Sequence, residues 1–295
     1  MKVLLTSPTY PPFNSGLGNA VRRQAEAISQ RGISVVVATG GIARNTRWDG
    51  AVRVEEFAVT GAEQLLRNPI RGDVAGYVGF LLTEPYDVII MNAWQTWSTD
   101  VPMKVLRQIT CKKYLYSHCI STNTILTFAG FRSYLNYLLW RPYWWSLGSK
   151  MKLLDGIIFL SREGSDNRFD DLRLARHVGT PVFVIPNSLP SKRELYAGAE
   201  RRKLIAVGSY TAAKGFDFVL NSYAKSSARN ILPLDFFGQE YTSYTDVLRR
   251  RVLELGLDPA SVTFHEGVEG QELLKHYASA LVFISGSHTE CQPLV

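Results

Sequence analysis

The first forty residues constrain the fold of this chain most, because they form one strand–loop–helix–strand pattern. "MKVLLTSP" (residues 1–8) is an apolar run of strand length, and "TYPPFNSGLG" (9–18) has the composition of a loop. "NAVRRQAEAISQRG" (19–32) has apolar residues at helical spacing and ends in glycine, and "ISVVVATGG" (33–41) is a continuous β-branched run. Such a unit predicts two parallel strands joined by a right-handed crossover helix.

The same alternation continues along the 295 residues and predicts two parallel sheets. The first part contains four more apolar runs, "YDVIIMNA" (86–93), "KKYLYSHC" (112–119), "DGIIFLS" (155–161) and "PVFVIPN" (181–187). After a polar stretch a second series begins with "RKLIAVGS" (202–209), "ILPLDFFGQ" (231–239), "SVTFHEG" (261–267) and "ALVFISGS" (280–287). We therefore predict a doubly wound α/β fold, in which ligands bind at the carboxyl ends of the strands.

The distribution of charge and cysteine argues against several classes of protein. The net charge is +7, but residues 101–154 contain eight Lys and Arg residues and no Asp or Glu. Because the basic excess belongs to one segment, a general nucleic-acid-binding role is not indicated. The three cysteines show no CxxC or Cys/His ligand spacing, so we predict no metal site.

The hydropathy pattern contains no membrane-spanning or secretory segment. No apolar run reaches the roughly 18 residues that a transmembrane helix needs. The amino-terminal run is too short for the core of a signal peptide. A cytoplasmic location is therefore expected.

One βα loop has the features of a phosphate site. In "AVGSYTAAKGFDFVL" (206–220), a strand ends at Gly208 and Ser209, and Lys214 and Gly215 stand where a helix begins. Free backbone N–H groups and the positive end of a helix favour an anion, and a lysine adds a point charge. The alternative is an ordinary βα turn that carries a surface lysine.

Further candidates follow other predicted strands. They are Gly16 and Gly18 in the first loop, His118, Gly238, Glu266 and Glu290. Each also has a structural explanation. Glycine permits a tight turn, a neutral histidine is often a hydrogen-bonded core residue, and an acid at a helix start is favoured by the helix dipole.

The aromatic segment "FAGFRSYLNYLLWRPYWW" (128–145) is predicted to be helical with a break at Pro142. Its apolar rings recur at intervals of three, at Phe128, Phe131, Tyr134, Tyr137 and Trp140, followed by Trp144 and Trp145. With flanking cations and no acids, it has the composition of an interfacial membrane element. The alternative is a helix packed on the sheet.

In their order and spacing, "SPTYPPFNSGLGN", "YSHCIS", "IIFLSREG", "VIPNSLP", "VGSYTAAKGFDFVL", "VTFHEGV" and "SGSHTECQPLV" resemble the retaining GT-B glycosyltransferases of family 4. The resemblance covers essentially the whole chain. It implies two facing Rossmann-like domains, an acceptor domain at 1–190 and a donor-binding domain at 200–295, the second one incomplete. It also implies transfer from a nucleoside-diphosphate sugar with retained configuration and no required metal or other cofactor.

The resemblance assigns roles to the candidates. Gly16 and Gly18 would face the donor phosphates and the acceptor, and His118 would lie beside the transferred sugar. Lys214 matches the lysine of a pattern like G-R-x4-K-G, but Ser209 stands where arginine is usual. Glu290 matches the first of two glutamates, and the second would fall three residues beyond Val295, so we expect a fragment cut inside its donor motif.

The sites expected from the resemblance form two sets. The catalytic set is His118, Lys214 and Glu290. The donor-binding set is Gly16, Gly18, Gly208, Ser209, Lys214, Gly215, Gly238, Glu266 and Glu290. The expected acceptor is a saccharide or a lipid-linked sugar, in surface polysaccharide or glycolipid synthesis, with the aromatic segment as a contact to the inner membrane. Two alternatives remain: a nucleotide-sugar 2-epimerase of the same fold, and a non-catalytic donor-binding or membrane scaffold.

Overall fold

The computed structural model describes residues 1–13, 15–64, 68–125, 130–162, 167–188, 200–268, 270–288 and 290–292. The chain divides into two compact units, Met1–Leu189 and Pro190–Pro293. Each unit is built around its own parallel sheet, and the two are described separately below.

The first unit contains an eight-stranded sheet and a short two-stranded ribbon. Its strands are β1 (Lys2–Thr6), β2 (Ser34–Gly40), β3 (Asn45–Asp49), β4 (Val52–Phe57), β5 (Val59–Thr60), β6 (Arg71–Gly72), β7 (Val88–Asn92), β8 (Lys112–Ser117), β9 (Gly156–Phe159) and β10 (Val182–Val184). The large sheet has the order β10-β9-β8-β7-β1-β2-β4-β3, and β5 pairs with β6. All neighbours in the large sheet are parallel except β3 and β4. The strand order reverses between β1 and β7.

Helices cover both faces of this sheet. They are α1 (Gly16–Ser29), α2 (Val74–Thr83), α3 (Trp97–Val105), α4 (Phe131–Leu139), α5 (Arg141–Met151) and α6 (Asp170–Val178). Successive residues of a strand point to opposite faces, so Leu4 belongs to one buried cluster while Val3 and Leu5 belong to another. Burial on both faces explains the continuous apolar strands that the sequence shows.

The second unit has four parallel strands in the order β13-β12-β11-β14. Its elements are β11 (Lys203–Val207), α7 (Phe216–Lys225), β12 (Leu234–Gly238), α8 (Ser243–Glu254), β13 (Val262–Glu266), α9 (Gly270–Ser279) and β14 (Ala280–Phe283). Here the order reverses between β11 and β14. The predicted α/β class with parallel sheets is therefore confirmed.

The aromatic segment differs from the prediction in where it breaks. The two helices α4 and α5 meet at Trp140, and Pro142 lies in the first turn of α5, where its missing N–H has no helical partner to lose. Trp140 and Tyr143 are 7% and 3% exposed and pack in the core, whereas Phe131 and Trp145 are 80% and 75% exposed. The assignment of Trp140 to a surface-facing aromatic row is wrong for this reason. Phe128 lies outside the described residues.

None of the helices in the described ranges combines the length and the hydropathy that crossing a membrane requires.

Candidate functional site

The phosphate loop predicted at residues 206–220 lies where the strand order of the second sheet reverses. After β11 the chain makes a single helical turn at Ala212–Lys214 and reaches Gly215, which adopts a left-handed conformation with φ of 59° and begins α7. A Cβ at position 215 would lie 1.9 Å from the carbonyl oxygen of Gly286, which follows β14. Glycine therefore allows the loops after β11 and β14 to touch through their backbones.

This contact brings a lysine and a carboxylate together at the start of α7. The Nζ of Lys214 lies 2.5 Å from Oε1 of Glu290, and the Ser287 hydroxyl donates to the same oxygen at 2.9 Å. The His288 N–H donates to the carbonyl of Ala213 at 3.0 Å, which joins the two loops again. The first N–H groups of α7 have no side-chain cap. A cation and free N–H groups at a helix start form a binding site for an anion.

The other donor-side candidates have varied surroundings. Gly208 is half-buried below the Lys214 side chain, whose Cγ would be 3.3 Å from a Cβ at 208, and its N–H donates to the Phe237 carbonyl. Ser209 is exposed, and its hydroxyl lies 3.5 Å from that of Thr211. The structure thus groups Gly208, Ser209, Lys214 and Gly215 in one loop beside Glu290.

Gly238 and Glu266 are the last residues of β12 and β13, the two strands farther from the reversal point. Gly238 is buried, and a Cβ there would lie 2.2 Å from the ring of Tyr210, so packing accounts for this glycine. Glu266 is exposed and accepts the N–H of Tyr241 at 2.9 Å. Among the described residues, no hydrogen bond links Gly238 or Glu266 to Lys214 or Glu290.

In the first unit, the predicted glycine loop is shorter than expected because α1 begins at Gly16. Ser15 caps the helix by accepting the N–H of Gly18 at 2.9 Å. A Cβ at 18 would lie 3.1 Å from the carbonyl oxygen of Thr9, whereas nothing lies within 4 Å of one at 16. Gly18 thus permits close packing on its own loop, and Gly16 presents its backbone to open space.

Three polar contacts hold this loop against the edge of the sheet. Asp49 of β3 accepts from the Tyr10 hydroxyl at 3.1 Å and from the Arg22 guanidinium at 3.0 Å. Arg47 of the same strand donates to the carbonyl of Pro11. Burial and the neighbouring Asp49 raise the pKa of Tyr10, so its hydroxyl stays protonated and keeps donating.

His118 lies one residue beyond β8, at the strand end predicted from the sequence. Its Nε2 lies 3.3 Å from Oδ1 of Asn92 at the end of β7, and its ring stacks on Tyr116 with centroids 5.0 Å apart. Burial lowers the pKa of His118 to about 4. The imidazole is therefore neutral at pH 7 and offers a hydrogen bond rather than a positive charge.

A buried carboxylate supports this strand end from behind. Asp171, at the start of α6, accepts from the Trp94 indole at 2.9 Å, from the Ser117 hydroxyl at 2.5 Å and from the Leu172 N–H at 3.0 Å. Burial raises the pKa of Asp171 to about 6, and the Ser117 and Trp94 hydrogen bonds partly oppose that rise. Because Ser117 precedes His118, Asp171 fixes the backbone that positions the imidazole.

Three residues near the candidate sites were not predicted from the sequence: Asn92, Asp171 and Ser287. Asn92 could have been predicted, because a polar residue that ends an apolar run is the same signal that identified His118. Asp171 gives no such signal, since it stands in an ordinary amphipathic helix pattern. Across the described ranges, no group of three His, Cys, Asp or Glu side chains is arranged to hold a metal ion.

Comparisons with known proteins identify the fold. No protein-family model and no curated protein sequence matches the chain. The structure resembles that of WaaG, a glycosyltransferase involved in lipopolysaccharide biosynthesis, with a TM-score of 0.64 and 18% identity, over 98% of this chain and 76% of WaaG.

Two further structures show the same likeness. An α,α-trehalose-phosphate synthase (UDP-forming) from Burkholderia vietnamiensis matches with a TM-score of 0.62 and 12% identity, over 99% of this chain and 80% of its own. Anabaena HepE in complex with UDP-glucose matches with a TM-score of 0.59 and 16% identity, over 98% and 74%. At such identities the likeness establishes the fold, which is that of the GT-B glycosyltransferases, as predicted.

Proposed function

We propose that this chain is a glycosyltransferase that moves a sugar from a nucleoside-diphosphate sugar to a saccharide or lipid-linked acceptor. The observation that carries the proposal is the Lys214–Glu290 pair, which lies beside the free start of α7 at the reversal point of a parallel sheet. Ligands of such sheets bind at this position. The GT-B fold supports the same assignment, and one solved structure of that fold contains UDP-glucose.

The chemistry of sugar transfer suits this cluster. When the bond between sugar and nucleotide breaks, negative charge accumulates on the departing diphosphate. Lys214 and the N–H groups of α7 would stabilise that charge more in the transition state than in the ground state. A phosphate would also replace Glu290 as the partner of Lys214, which frees the carboxylate to accept from a sugar hydroxyl. Ser209, exposed in the same loop, supplies a hydroxyl at the position of the arginine in the pattern G-R-x4-K-G.

In the first unit, we propose that Gly16 and the neutral imidazole of His118 contact the sugar and the acceptor. We further propose retention of configuration and no resident metal or other cofactor, because Lys214 and backbone N–H groups supply the positive potential. Each of these assignments follows the resemblance of the motifs.

Titration calorimetry with UDP, GDP and ADP tests the donor site. We expect one nucleotide to bind and Lys214→Ala to weaken it by about tenfold or more, because a hydrogen bond to a charged group contributes about 1.5–3 kcal/mol. Lys225→Ala is the matched control, since Lys225 is an exposed lysine at the other end of α7. Absence of binding by all three nucleotides, or equal effects of the two variants, would contradict the assignment.

We also propose that the enzyme works at the cytoplasmic surface of a membrane, in surface polysaccharide or glycolipid synthesis. Four residues of α4 at positions i, i+3, i+4 and i+7 are exposed and apolar, and we call them the α4 stripe: Phe131, Tyr134, Leu135 and Leu138. Four exposed cations of the basic segment make no ion pair with any described residue: Lys104, Arg107, Arg132 and Lys152. An outward apolar stripe with neighbouring cations fits an anionic bilayer surface.

Co-sedimentation with vesicles containing an anionic phospholipid tests the membrane contact. We expect the double variant Phe131→Ser, Trp145→Ser to bind about tenfold more weakly or worse, because each exposed ring would contribute about 1.5–3 kcal/mol on insertion. Trp48→Ser is the control, because Trp48 is also largely exposed but lies in β3. If the double variant sedimented with the vesicles as the wild type does, the proposed contact of the α4 stripe with the membrane would be contradicted.

A further inference from the structure

The first unit contains a cavity that includes none of the predicted donor-site or catalytic residues. Its volume is about 480 Å³, within the usual range for small-molecule sites. The wall is formed by residues 62–64 and 69–70, the end of α3, the end of α4 and the first turns of α5. Its apolar lining includes Ala62, Ile70, Leu139 and Pro142.

The floor of the cavity is rigid because its polar groups are satisfied. The buried Tyr143 donates its hydroxyl to Oδ1 of Asp100 at 2.8 Å and accepts the N–H of Gln95 at 3.1 Å. The other oxygen of Asp100 accepts the N–H of Glu63 at 2.8 Å. Tyr143 lines the cavity, is 3% exposed, and has the Lys150 ammonium over its ring at 4.4 Å from the centroid.

Among the described residues that line the cavity, one charged side chain has no partner, and it is a cation. Glu63 lines the cavity, but its carboxylate is paired with the ammonium of Lys150 at 2.5 Å. Lys104 also lines the cavity, is exposed, and forms no ion pair or hydrogen bond with any described residue. The electrostatic preference of the cavity is therefore for an anionic group near Lys104.

The apolar wall continues into the α4 stripe. Leu139 lines the cavity and follows Leu135 of the stripe at i+4 on the same helix, so a hydrocarbon chain lying along the stripe reaches the cavity at Leu139. A ligand that satisfies both features carries an anionic head and a long apolar chain. Neither a free anion nor a neutral lipid would use both parts of the site.

We propose that this cavity binds a lipid phosphate. The phosphate lies at Lys104, the first carbons of the chain pack on Ile70, Leu139 and the Tyr143 ring, and the rest of the chain follows the α4 stripe. This inference rests on the proposed function, because it specifies the chemical class of the lipid-linked acceptor. It concerns the first unit only, and so its test can be separated from that of the nucleotide site.

Farnesyl phosphate, farnesol and inorganic phosphate are the probes, titrated below the micelle concentration into the whole chain. The variant Ser146→Trp fills the cavity, because Ser146 lines it. Ser149→Trp is the matched control: Ser149 does not line the cavity, and each of the two serine hydroxyls donates to the carbonyl three residues earlier. We expect farnesyl phosphate to bind and Ser146→Trp and Lys104→Ala each to weaken it by about tenfold or more. Ser149→Trp should bind as the wild type does.

Several results would overturn the proposal. Inorganic phosphate that binds as tightly as farnesyl phosphate would reduce the cavity to an anion site, and farnesol that binds equally well would remove the role of Lys104. An equal loss in Ser149→Trp would show that the cavity is not involved.

A UDP, GDP and ADP titration of the same variants separates the two proposals. Nucleotide binding without farnesyl phosphate binding contradicts the lipid site alone. Farnesyl phosphate binding without any nucleotide binding contradicts the transferase assignment and leaves the lipid site in place.

Discussion

Gly215→Ala is expected to lower the free energy of unfolding of the second unit by about 3–5 kcal/mol. Two costs add. The left-handed conformation at φ of 59° is unfavourable for alanine by about 1–2 kcal/mol. The new methyl group would also lie 1.9 Å from the Gly286 oxygen, a backbone atom that cannot rotate away. The loop after β14 must then move, and the contact between Lys214 and Glu290 moves with it.

Gly256→Ala separates the two costs. Gly256 has a similar φ of 63°, but nothing lies within 4 Å of a Cβ at that position. We expect this control to lose only the conformational cost of about 1–2 kcal/mol, measured by urea denaturation followed by far-ultraviolet circular dichroism. If both glycine variants lost the same amount, the close contact between the two loops would not exist as described.

Gly238→Ala is expected to cost about 3 kcal/mol or more, although Gly238 has no unusual backbone conformation. The added methyl group would stand 2.2 Å from the ring of Tyr210, which is fully buried. Moving that ring breaks two hydrogen bonds from its hydroxyl, one to the Phe236 carbonyl at 3.0 Å and one to the His265 carbonyl at 2.7 Å. Urea denaturation measures the loss.

A double-mutant cycle with Tyr210→Leu decides whether packing explains Gly238. In the Tyr210→Leu background the ring is gone, so adding Gly238→Ala should cost less than about 1 kcal/mol. A cost that stayed the same in both backgrounds would be evidence for another role, such as the close approach of a ligand. Nucleotide titration of Gly238→Ala in the Tyr210→Leu background would then test the donor-binding assignment directly.

The strands of both sheets could be predicted because most of them are buried on two faces. The runs around Val35, Ile90 and Ile205 are continuous and apolar, which is what parallel sheets under two helical layers require. The hairpin of β3 and β4 gave no comparable signal. β3 is polar and mostly exposed, and the pair depends on cross-strand contacts such as that of Arg47 with Glu56. Such pairing at a sheet edge depends on tertiary partners.

The position of the candidate site could be predicted from the sequence, but the contacts between its side chains could not. Lys214, Gly215 and His118 were found because residues that follow parallel strands meet at one edge of a sheet. The 2.5 Å contact of Lys214 with Glu290 joins residues 76 positions apart and depends on β14 lying beside β11. No local pattern specifies that neighbour. The structural role of Gly238 was missed for the same reason, because the ring of Tyr210 comes from the loop after β11.

The place of β1 in its sheet has a consequence for synthesis on the ribosome. β1 precedes the other strands of its sheet in the sequence and lies in the interior of the sheet, between β2 and β7. Its second neighbour, β7, comprises residues 88–92, and the edge strand β10 comprises residues 182–184, so both are synthesised later than β2. At about 5–20 residues per second, β1 keeps one edge unpaired for several seconds after β2 has emerged. The nascent chain therefore exposes an apolar strand edge during that interval, which is a natural point for a chaperone to bind.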